Sequence, residues 1–120
     1  MLSIETMKWR LQRQVGEDLP LLKWAGAMRV IGADDQTIDL LVGGRRVAFT
    51  WDRVRSTWER LLADQELSVT ELGGQEDAVA MVSLLAEMQA DVVVADSTAG
   101  VLRLRDVHGK PVHQPVAPTV

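Results

Sequence analysis

Neither cysteine nor tyrosine occurs in this 120-residue chain, and phenylalanine occurs once. Without thiols the chain forms no disulfide, no cysteine-ligated zinc site and no thiol nucleophile, so thiol redox chemistry is excluded from any mechanism. No apolar run approaches the roughly 20 residues of a membrane-spanning helix, and residues 1–15 are amphipathic and charged rather than signal-peptide-like. We therefore expect a cytoplasmic protein that makes no contact with a membrane.

Basic residues are absent from a long internal segment. Residues 61–102 contain no Lys or Arg and eight Asp or Glu, whereas residues 1–60 contain ten basic and eight acidic side chains. Residues 103–120 carry three basic side chains against one acidic side chain. A nucleic-acid-binding surface within residues 61–102 would repel phosphate groups, so we expect any phosphate contacts to come from outside that segment.

The length and composition fit one globular domain followed by a tail. Apolar residues make up 47% of the chain and charged residues 25%, which is ordinary for globular proteins. Residues 107–120 contain three prolines and show no hydrophobic period. We therefore predict a single α+β domain at residues 1–106 and a flexible, proline-rich tail at residues 107–120.

The N-terminal segment predicts a helix and then a loop. Ser3 can cap a helix whose apolar residues recur on one face, and Gly16 can end it. The residues of this predicted core face are Ile4, Met7, Leu11 and Val15. Pro20 disfavours a helix through residues 16–26, so we predict a loop or short turn there.

Three β-rich runs follow this loop, at residues 27–32, 37–42 and 45–50. Gly43-Gly44 separates the second run from the third and suits a type I′ turn, since both central positions of that turn need a positive φ. The pattern predicts a three-stranded antiparallel meander.

The second half of the chain predicts a helix at residues 51–64, capped by Thr50, and later a hairpin at residues 92–95 and 101–105. The predicted core face of the helix consists of Trp51, Val54, Trp58, Leu61 and Leu62, and the opposite face carries Arg53, Ser56, Thr57 and Arg60. Residues 67–72 predict a short strand and the start of a short helix before Gly73-Gly74.

A further helix is predicted at residues 75–89, and its apolar face is unusually wide. The core stripe and its apolar flanks are Ala78, Val79, Met81, Val82, Leu84, Leu85, Ala86 and Met88. Only Glu76, Ala80, Ser83 and Glu87 are left for solvent. So wide a face needs cover on two sides, either from the meander or from a second subunit. In the second case Val79 and Leu84 would lie in a homodimer interface.

This order of elements resembles the winged helix-turn-helix modules of bacteria over residues 50–106. The resemblance is carried by SVTELGG at residues 68–74 and by AVAMVSLLAEMQADVVVADSTAGVLRLR at residues 78–105. In addition, TIDLLVGGRRVAFTWDRVRSTWERLLA at residues 37–63 resembles small accessory modules of bacterial restriction and defence systems. The resemblance implies a winged-helix-like half, on a scaffold that serves both DNA readers and protein-docking modules.

The sequence shows no constellation of catalytic, cofactor-binding or metal-binding residues. Both histidines, His108 and His113, fall in the predicted tail, and Asp34-Asp35 is typical of a turn. The glycine pairs lack the spacing and the following Lys of a phosphate-binding loop. We therefore predict a protein that is not an enzyme and binds no cofactor.

Interaction with another protein is the leading functional hypothesis. Four of the five aromatic residues are tryptophans, which are among the side chains most enriched at binding hot spots. Trp9 lies off the predicted core face of its helix, and Trp24 lies in the predicted loop, where Leu21, Leu22 and Trp24 are expected to cap the core. Both tryptophans are interface candidates, together with Val79 and Leu84. The hypothesis is a winged-helix-like adaptor of a bacterial regulatory or defence system that binds a protein partner or a second copy of itself.

Two alternatives involve DNA. A DNA-binding transcriptional regulator would use a basic hairpin and helix surface, and its candidate phosphate contacts are Arg45, Arg46, Arg53, Arg60, Arg103 and Arg105. The helix at residues 75–89 offers glutamates and no basic side chain at its predicted solvent positions, so it is poorly suited to read bases. Alternatively, the acidic residues of 61–102 could imitate DNA and inhibit another protein's DNA-binding site.

Overall fold

Two antiparallel sheets and three helices form the part of the chain that the computed structural model describes, residues 2–24 and 26–105. The helices are α1 (Ile4–Gln12), α2 (Trp51–Asp64) and α3 (Glu76–Met88). The first sheet contains, in spatial order, β1 (Asp18–Pro20), β2 (Ala27–Ala33), β3 (Thr37–Val42) and β4 (Arg45–Thr50). The second sheet contains β5 (Glu66–Ser68), β6 (Val93–Asp96) and β7 (Val101–Leu104), with β7 in the middle. The predicted α+β class is confirmed, and the predicted tail at residues 107–120 lies outside the described residues.

α1 begins at its predicted N-cap but ends earlier than predicted. The Oγ of Ser3 accepts a hydrogen bond from the amide of Thr6 at 3.2 Å, which satisfies one of the free amides of the first turn. Because the helix ends at Gln12, Val15 does not continue its apolar stripe and is half exposed. Placing Val15 in the core was therefore wrong. The amide of Gly16 instead donates to a carbonyl of β2 at 2.7 Å.

The segment predicted as a loop contains an additional strand. β1 pairs antiparallel with β2 and places Pro20 opposite Ala27. A proline has no amide donor, but an edge strand tolerates it, and β1 lies at the edge of its sheet. The meander therefore has one strand more than predicted, because the neighbouring β2 holds this short segment in an extended conformation.

The other three strands of the first sheet lie where the sequence predicts them. Gly43 and Gly44 connect β3 to β4 with φ values of 56° and 82°, as a type I′ turn requires. Alternate strand residues are fully buried, namely Met28, Val30, Ile38, Leu40 and Val42. A register shift between β2 and β3 leaves Ile31 outside the ladder, where its side chain is 39% exposed. One face of this sheet thus supplies much of the core.

α2 follows its predicted N-cap, Thr50, whose side chain accepts a hydrogen bond from the amide of Arg53 at 3.2 Å. Four residues of the predicted core face are buried, namely Trp51, Val54, Trp58 and Leu61. Two assignments were wrong, since Leu62 is 37% exposed and Thr57 is buried. Thr57 can be buried because its hydroxyl donates to the carbonyl of Arg53 at 2.8 Å and is thereby satisfied.

α3 packs against both sheets. It contacts β1, β3 and β4 of the first sheet and β6 and β7 of the second. Ala80 and Ser83, which the helical pattern assigns to solvent, are buried. The Oγ of Ser83 accepts a hydrogen bond from the amide of Leu22 at 2.8 Å, which allows this hydroxyl to be buried. The chain itself therefore covers the wide apolar face of α3, and the assignment of Ala80 and Ser83 to solvent was wrong.

The second sheet consists of the predicted hairpin and β5, which pairs with β7. Between β5 and α3 the chain forms hydrogen-bonded turns, so the helix start predicted within residues 67–72 was wrong. The amide of Gly74 donates to the carbonyl of Val69 at 2.9 Å, and Gly73 and Gly74 have φ values of 105° and 69°. Glycines in these conformations reverse the chain locally and do not continue a helix.

A buried glutamine joins the start of the described chain to the end of α3. The side-chain amide of Gln89 accepts from the amide of Leu2 and donates to the carbonyl of Leu2, both at 2.8 Å. Gln89 is fully buried, and this reciprocal pair satisfies both ends of its amide group. No pattern in the sequence indicates this contact, because its two residues are 87 positions apart.

Candidate protein-interaction site

Trp24 lies between β1 and β2, and 38% of its side chain is exposed. We term residues 21–24 the Trp24 loop. The amide of Leu22 in this loop donates to the Oγ of Ser83 on α3 at 2.8 Å. The amide of Lys23 donates at 2.6 Å to the carbonyl of Ser97, which lies in the turn between β6 and β7. The backbone before Trp24 is thus fixed to two separate elements.

Lys23 adopts a left-handed backbone conformation, with φ of 72°. This conformation costs a residue with a side chain roughly 1–2 kcal/mol. The two hydrogen bonds of Leu22 and Lys23 hold the backbone in place in spite of this cost. Strained backbone of this kind concentrates at binding sites and switch regions, where it orients a functional side chain. Here the side chain that follows the strained residue is Trp24.

Gly100 allows the Trp24 loop to lie close to the hairpin. Its φ is 69°, and a Cβ placed on it would lie 3.1 Å from the Cβ of Lys23 and 3.0 Å from the Cγ2 of Val69. Both distances are shorter than ordinary carbon contacts, so the positive φ and the close approach both favour a glycine where the loop, the hairpin and the turn after β5 meet. The turn-forming run around Gly100 indicates a turn, but neither this approach nor the strain at Lys23 can be inferred from the sequence.

Trp9, the second exposed tryptophan, lies on α1 and is 58% exposed. The guanidinium carbon of Arg13 lies 4.7 Å from the centroid of its ring, within the range of a cation–π contact. This arginine lies over one face of the ring, whereas the Trp24 ring has no such contact among the described residues. Trp51 and Trp58 keep only a small exposed edge, at 3% and 5%, so Trp9 and Trp24 offer far more indole surface to a protein partner.

The other two interface candidates of the sequence are not at the surface. Val79 and Leu84 are fully buried in α3, where the helix contacts both sheets. The sequence left open whether sheet strands or a second subunit cover this face, and in the structure the two sheets of the same chain cover it. A homodimer through this face would have no exposed apolar surface to use, because burial of these side chains is already complete within one chain.

Five of the six candidate DNA-binding arginines form ion pairs with carboxylates. The pairs, with their N–O distances, are Arg45–Glu76 at 2.7 Å, Arg46–Asp39 at 2.7 Å, Arg53–Asp77 at 3.3 Å, Arg60–Glu71 at 3.0 Å and Arg103–Glu66 at 2.9 Å. The sixth, Arg105, donates to the carbonyl of Ala90 at 3.4 Å. Exposed ion pairs of this kind add little to stability, but each one places a negative charge where a DNA phosphate would have to bind.

The acidic segment of the sequence is partly neutralised in the fold. Four of its eight carboxylates belong to the pairs above, and a fifth, Asp64, lies 3.8 Å from Arg60. Glu76 and Asp77 occupy the first turn of α3, where the helix dipole favours negative charge. The separation of acidic and basic residues along the chain thus becomes pairing between neighbouring elements.

The described residues contain no group of three or more His, Cys, Asp or Glu side chains that could hold a metal ion. Asp34 stabilises a turn, since its carboxylate accepts from the amides of Gln36 and Thr37 at 2.7 and 2.8 Å. The amide of Thr37 and then that of Gln36 hold the pKa of this carboxyl below its usual range. A turn is the interpretation that the sequence favours at this position. His108 and His113 lie outside the described residues.

Fold and surface together define an α+β domain with two antiparallel sheets and an exposed tryptophan on a loop whose backbone is fixed by hydrogen bonds. Within residues 2–24 and 26–105, no helix is both long and apolar enough to cross a membrane. Comparisons with protein-family models, with curated proteins and with solved structures found no match to this chain. Its function must therefore be inferred from the chemistry of its own residues.

Proposed function

We propose that this chain is a non-enzymatic protein-interaction module that binds a protein partner through the Trp24 loop. The observation that carries the proposal is an exposed tryptophan on a loop whose backbone is fixed by hydrogen bonds to α3 and to the β6–β7 turn. A tryptophan ring buries a large apolar area on binding and is a frequent hot spot. A loop that is fixed before binding also loses little conformational entropy when the partner arrives.

The proposal includes a winged-helix-like assignment for residues 50–106 and a place in a bacterial regulatory or defence system. The chain order of helix, short strand, helix and hairpin supports this assignment. Turns replace the short helix expected between β5 and α3. Since nine of the thirteen residues of α3 are buried, this helix has little surface with which to enter a DNA groove. Protein docking is therefore the better use of this scaffold.

DNA binding through the arginines is the second candidate. The side chains of Arg45 and Arg46, beside the β3–β4 turn, are 75% and 66% exposed, which favours contact with a large charged ligand. To bind a phosphate, each arginine would have to leave its carboxylate, which would then repel the phosphate. The same pairs leave few unpaired acidic groups for a DNA-mimic inhibitor. Both DNA hypotheses therefore rank below protein binding.

The test compares the full-length variants Trp24→Ala and Trp9→Ala, which remove the two exposed tryptophans one at a time. Proteins captured from a bacterial lysate by each variant are identified and their affinities measured with purified material. We expect Trp24→Ala to weaken the binding of a specific partner by about 30-fold or more, the loss typical of a hot spot. Trp9→Ala serves as the control and should retain the partner.

A titration with random duplex DNA at low and at moderate salt separates the two candidates. Its samples are the same proteins, with their masses in solution measured by light scattering. The protein-binding proposal predicts no DNA affinity that depends on Trp24. If the wild type binds DNA with an affinity that falls steeply with salt and is unchanged in Trp24→Ala, the chain is a DNA-binding protein and the proposal is wrong.

A further inference from the structure

An apolar groove runs between the start of α1 and the C-terminal half of α2. Its volume is about 380 Å³, and its apolar lining residues are Leu2, Ile4, Trp58 and Leu62. The 37% exposed side chain of Leu62 lines this groove and does not join the core. The charged side chains in the lining, Arg55 and Glu59, are exposed positions of α2. The groove shares no lining residue with the Trp24 loop.

The described chain ends beside the α2 wall of this groove. The amide of Leu104, at the end of β7, donates to the carbonyl of Gln65 at 3.3 Å. Gln65 is the C-cap of α2 and follows Leu62 by three residues, which is less than one helical turn. β7 therefore ends next to the end of the groove marked by Leu62.

The other wall is joined to the same strand. Leu104 pairs with Val93 across the hairpin, and the amide of Val93 donates to the carbonyl of Gln89 at 3.0 Å. The side chain of Gln89 in turn binds Leu2 through its two hydrogen bonds of 2.8 Å. Three successive contacts thus connect Leu104 to Leu2, so both walls of the groove are linked to the last described strand.

The sequence that follows can reach the groove and suits its chemistry. It contains two Pro-Val pairs, Pro111-Val112 and Pro115-Val116. Proline-rich segments favour the polyproline II conformation, which binds aromatic-lined apolar grooves at low entropic cost. From Leu62 to Arg55 the groove follows α2 for about 10 Å. The six peptide units between residues 105 and 111 can span up to about 20 Å, which exceeds this length.

We propose that residues 111–116 of this chain bind in the groove of their own domain, with valine side chains against Trp58 and Leu62. The short connection to β7 gives the segment an effective concentration in the millimolar range. A dissociation constant of about 1 mM for the separate peptide therefore leaves roughly half of the grooves occupied in the intact chain. Binding removes the apolar lining of the groove from water, which supplies the favourable free energy.

The absence of cysteine allows a direct test in the full-length protein. Thr119→Cys introduces the only thiol, which is labelled with a nitroxide, and the broadening of amide and indole NMR signals is recorded. We expect the Trp58 indole signal and the Leu2 amide signal to lose most of their intensity. The indole signal of Trp24, which is not in the groove, provides an internal reference. Weak, uniform broadening over the whole surface would contradict the proposal.

Substitutions in the groove and in the segment make the test specific. In the labelled protein, Leu62→Glu should restore the Trp58 and Leu2 signals, whereas Ile31→Glu should not. Ile31 is a matched control, since its exposure of 39% is close to the 37% of Leu62 and it lies on β2. Because a groove variant can disturb the domain, a second variant changes the segment instead. The double substitution Val112→Asp and Val116→Asp should also restore the Trp58 and Leu2 signals. Broadening that survives this pair of changes would overturn the proposal.

Mixing distinguishes the chain's own segment from that of a second copy. Spin-labelled protein without isotope is added to isotope-labelled protein without the nitroxide. The proposal predicts that the Trp58 and Leu2 signals keep their intensity in this mixture. Loss of these signals would show that a second copy supplies the segment, and binding within one chain would then be wrong.

Discussion

Leu84→Ala tests whether α3 is a core element packed between two sheets. Leu84 is fully buried within one chain, and removing a buried leucine side chain costs about 2–5 kcal/mol through lost burial and the cavity left behind. α3 contacts strands of both sheets, so the surroundings cannot collapse onto the cavity without moving one of them. We therefore expect a loss in the upper half of that range, about 3–5 kcal/mol.

Such a loss is a large part of the 5–15 kcal/mol that stabilises a typical domain. It is measured as the change in the free energy of unfolding in urea, and it should lower the melting temperature by more than about 10 °C. Leu62→Ala is the control, because Leu62 is 37% exposed and should cost less than about 1 kcal/mol. Equal losses in the two variants would refute the packing described for α3. The packing would also be refuted if the wild type were a dimer and Leu84→Ala gave a monomer of unchanged stability.

Three further predictions concern a glycine, a carboxylate and the buried glutamine. Gly100→Ala should cost about 1–2 kcal/mol in urea unfolding, from its left-handed φ and from contacts of a new Cβ. Gly16→Ala is its control, because Gly16 also has a positive φ but no atom lies near the new Cβ. An equal loss of stability in both variants would show that the close approach at Gly100 does not contribute to the loss. For Asp34, whose folded-state pKa is lowered, the stabilising contribution is present above the unfolded-state pKa near 4 and is lost as the pH falls through the folded-state value. Asp34→Asn should therefore lower the urea midpoint at pH 6 more than at pH 3, and an equal decrease at both would contradict this linkage. Gln89→Leu should cost about 1–3 kcal/mol, because the half-buried amide and carbonyl of Leu2 lose their partners. A variant as stable as the wild type would show that water replaces those hydrogen bonds.

Sequence signals were reliable where one residue's own chemistry determines the backbone around it. Ser3 and Thr50 cap α1 and α2 because their side-chain oxygens reach the free amides of the following turn. Gly43-Gly44 forms the β3–β4 turn because glycine adopts a positive φ at little cost. These features depend on neighbours within a few positions, so they can be predicted without knowledge of the tertiary structure.

Prediction failed where a distant partner determines the outcome. Pro20 predicts a loop by its own chemistry, but pairing with β2 extends it as part of an edge strand. Ser83 is polar and was assigned to solvent, but the amide of Leu22, 61 positions away, satisfies its hydroxyl in the core. Val79 and Leu84 belong to an apolar face that the sequence shows correctly, yet periodicity does not reveal whether a sheet or a second subunit covers that face.

The candidate site also combines features that the sequence indicates with features that depend on contacts between distant residues. The sequence indicates Trp24 as an interface candidate because Trp51 and Trp58 fall on a predicted core face, although it also predicts that Trp24 caps the core. The left-handed backbone of Lys23 and its hydrogen bond to Ser97 exist only because the Trp24 loop meets the β6–β7 turn in the folded chain. The arginines are equally visible in the sequence, but their carboxylate partners are fixed by the packing of β4 and α2 near the start of α3.

By itself, therefore, the sequence of this protein determined its helix starts, its glycine turn, three of the strands in its first sheet and which residues are apolar. These depend on local backbone preferences and on hydrophobic periodicity. The tertiary structure alone decided that β1 is a strand, that α3 is covered within one chain, and that arginines outside the acidic segment pair with carboxylates within it. It also decided that Trp24 lies on a braced loop. These outcomes depend on contacts between residues far apart in the chain, whose energies become available only when both partners are in place.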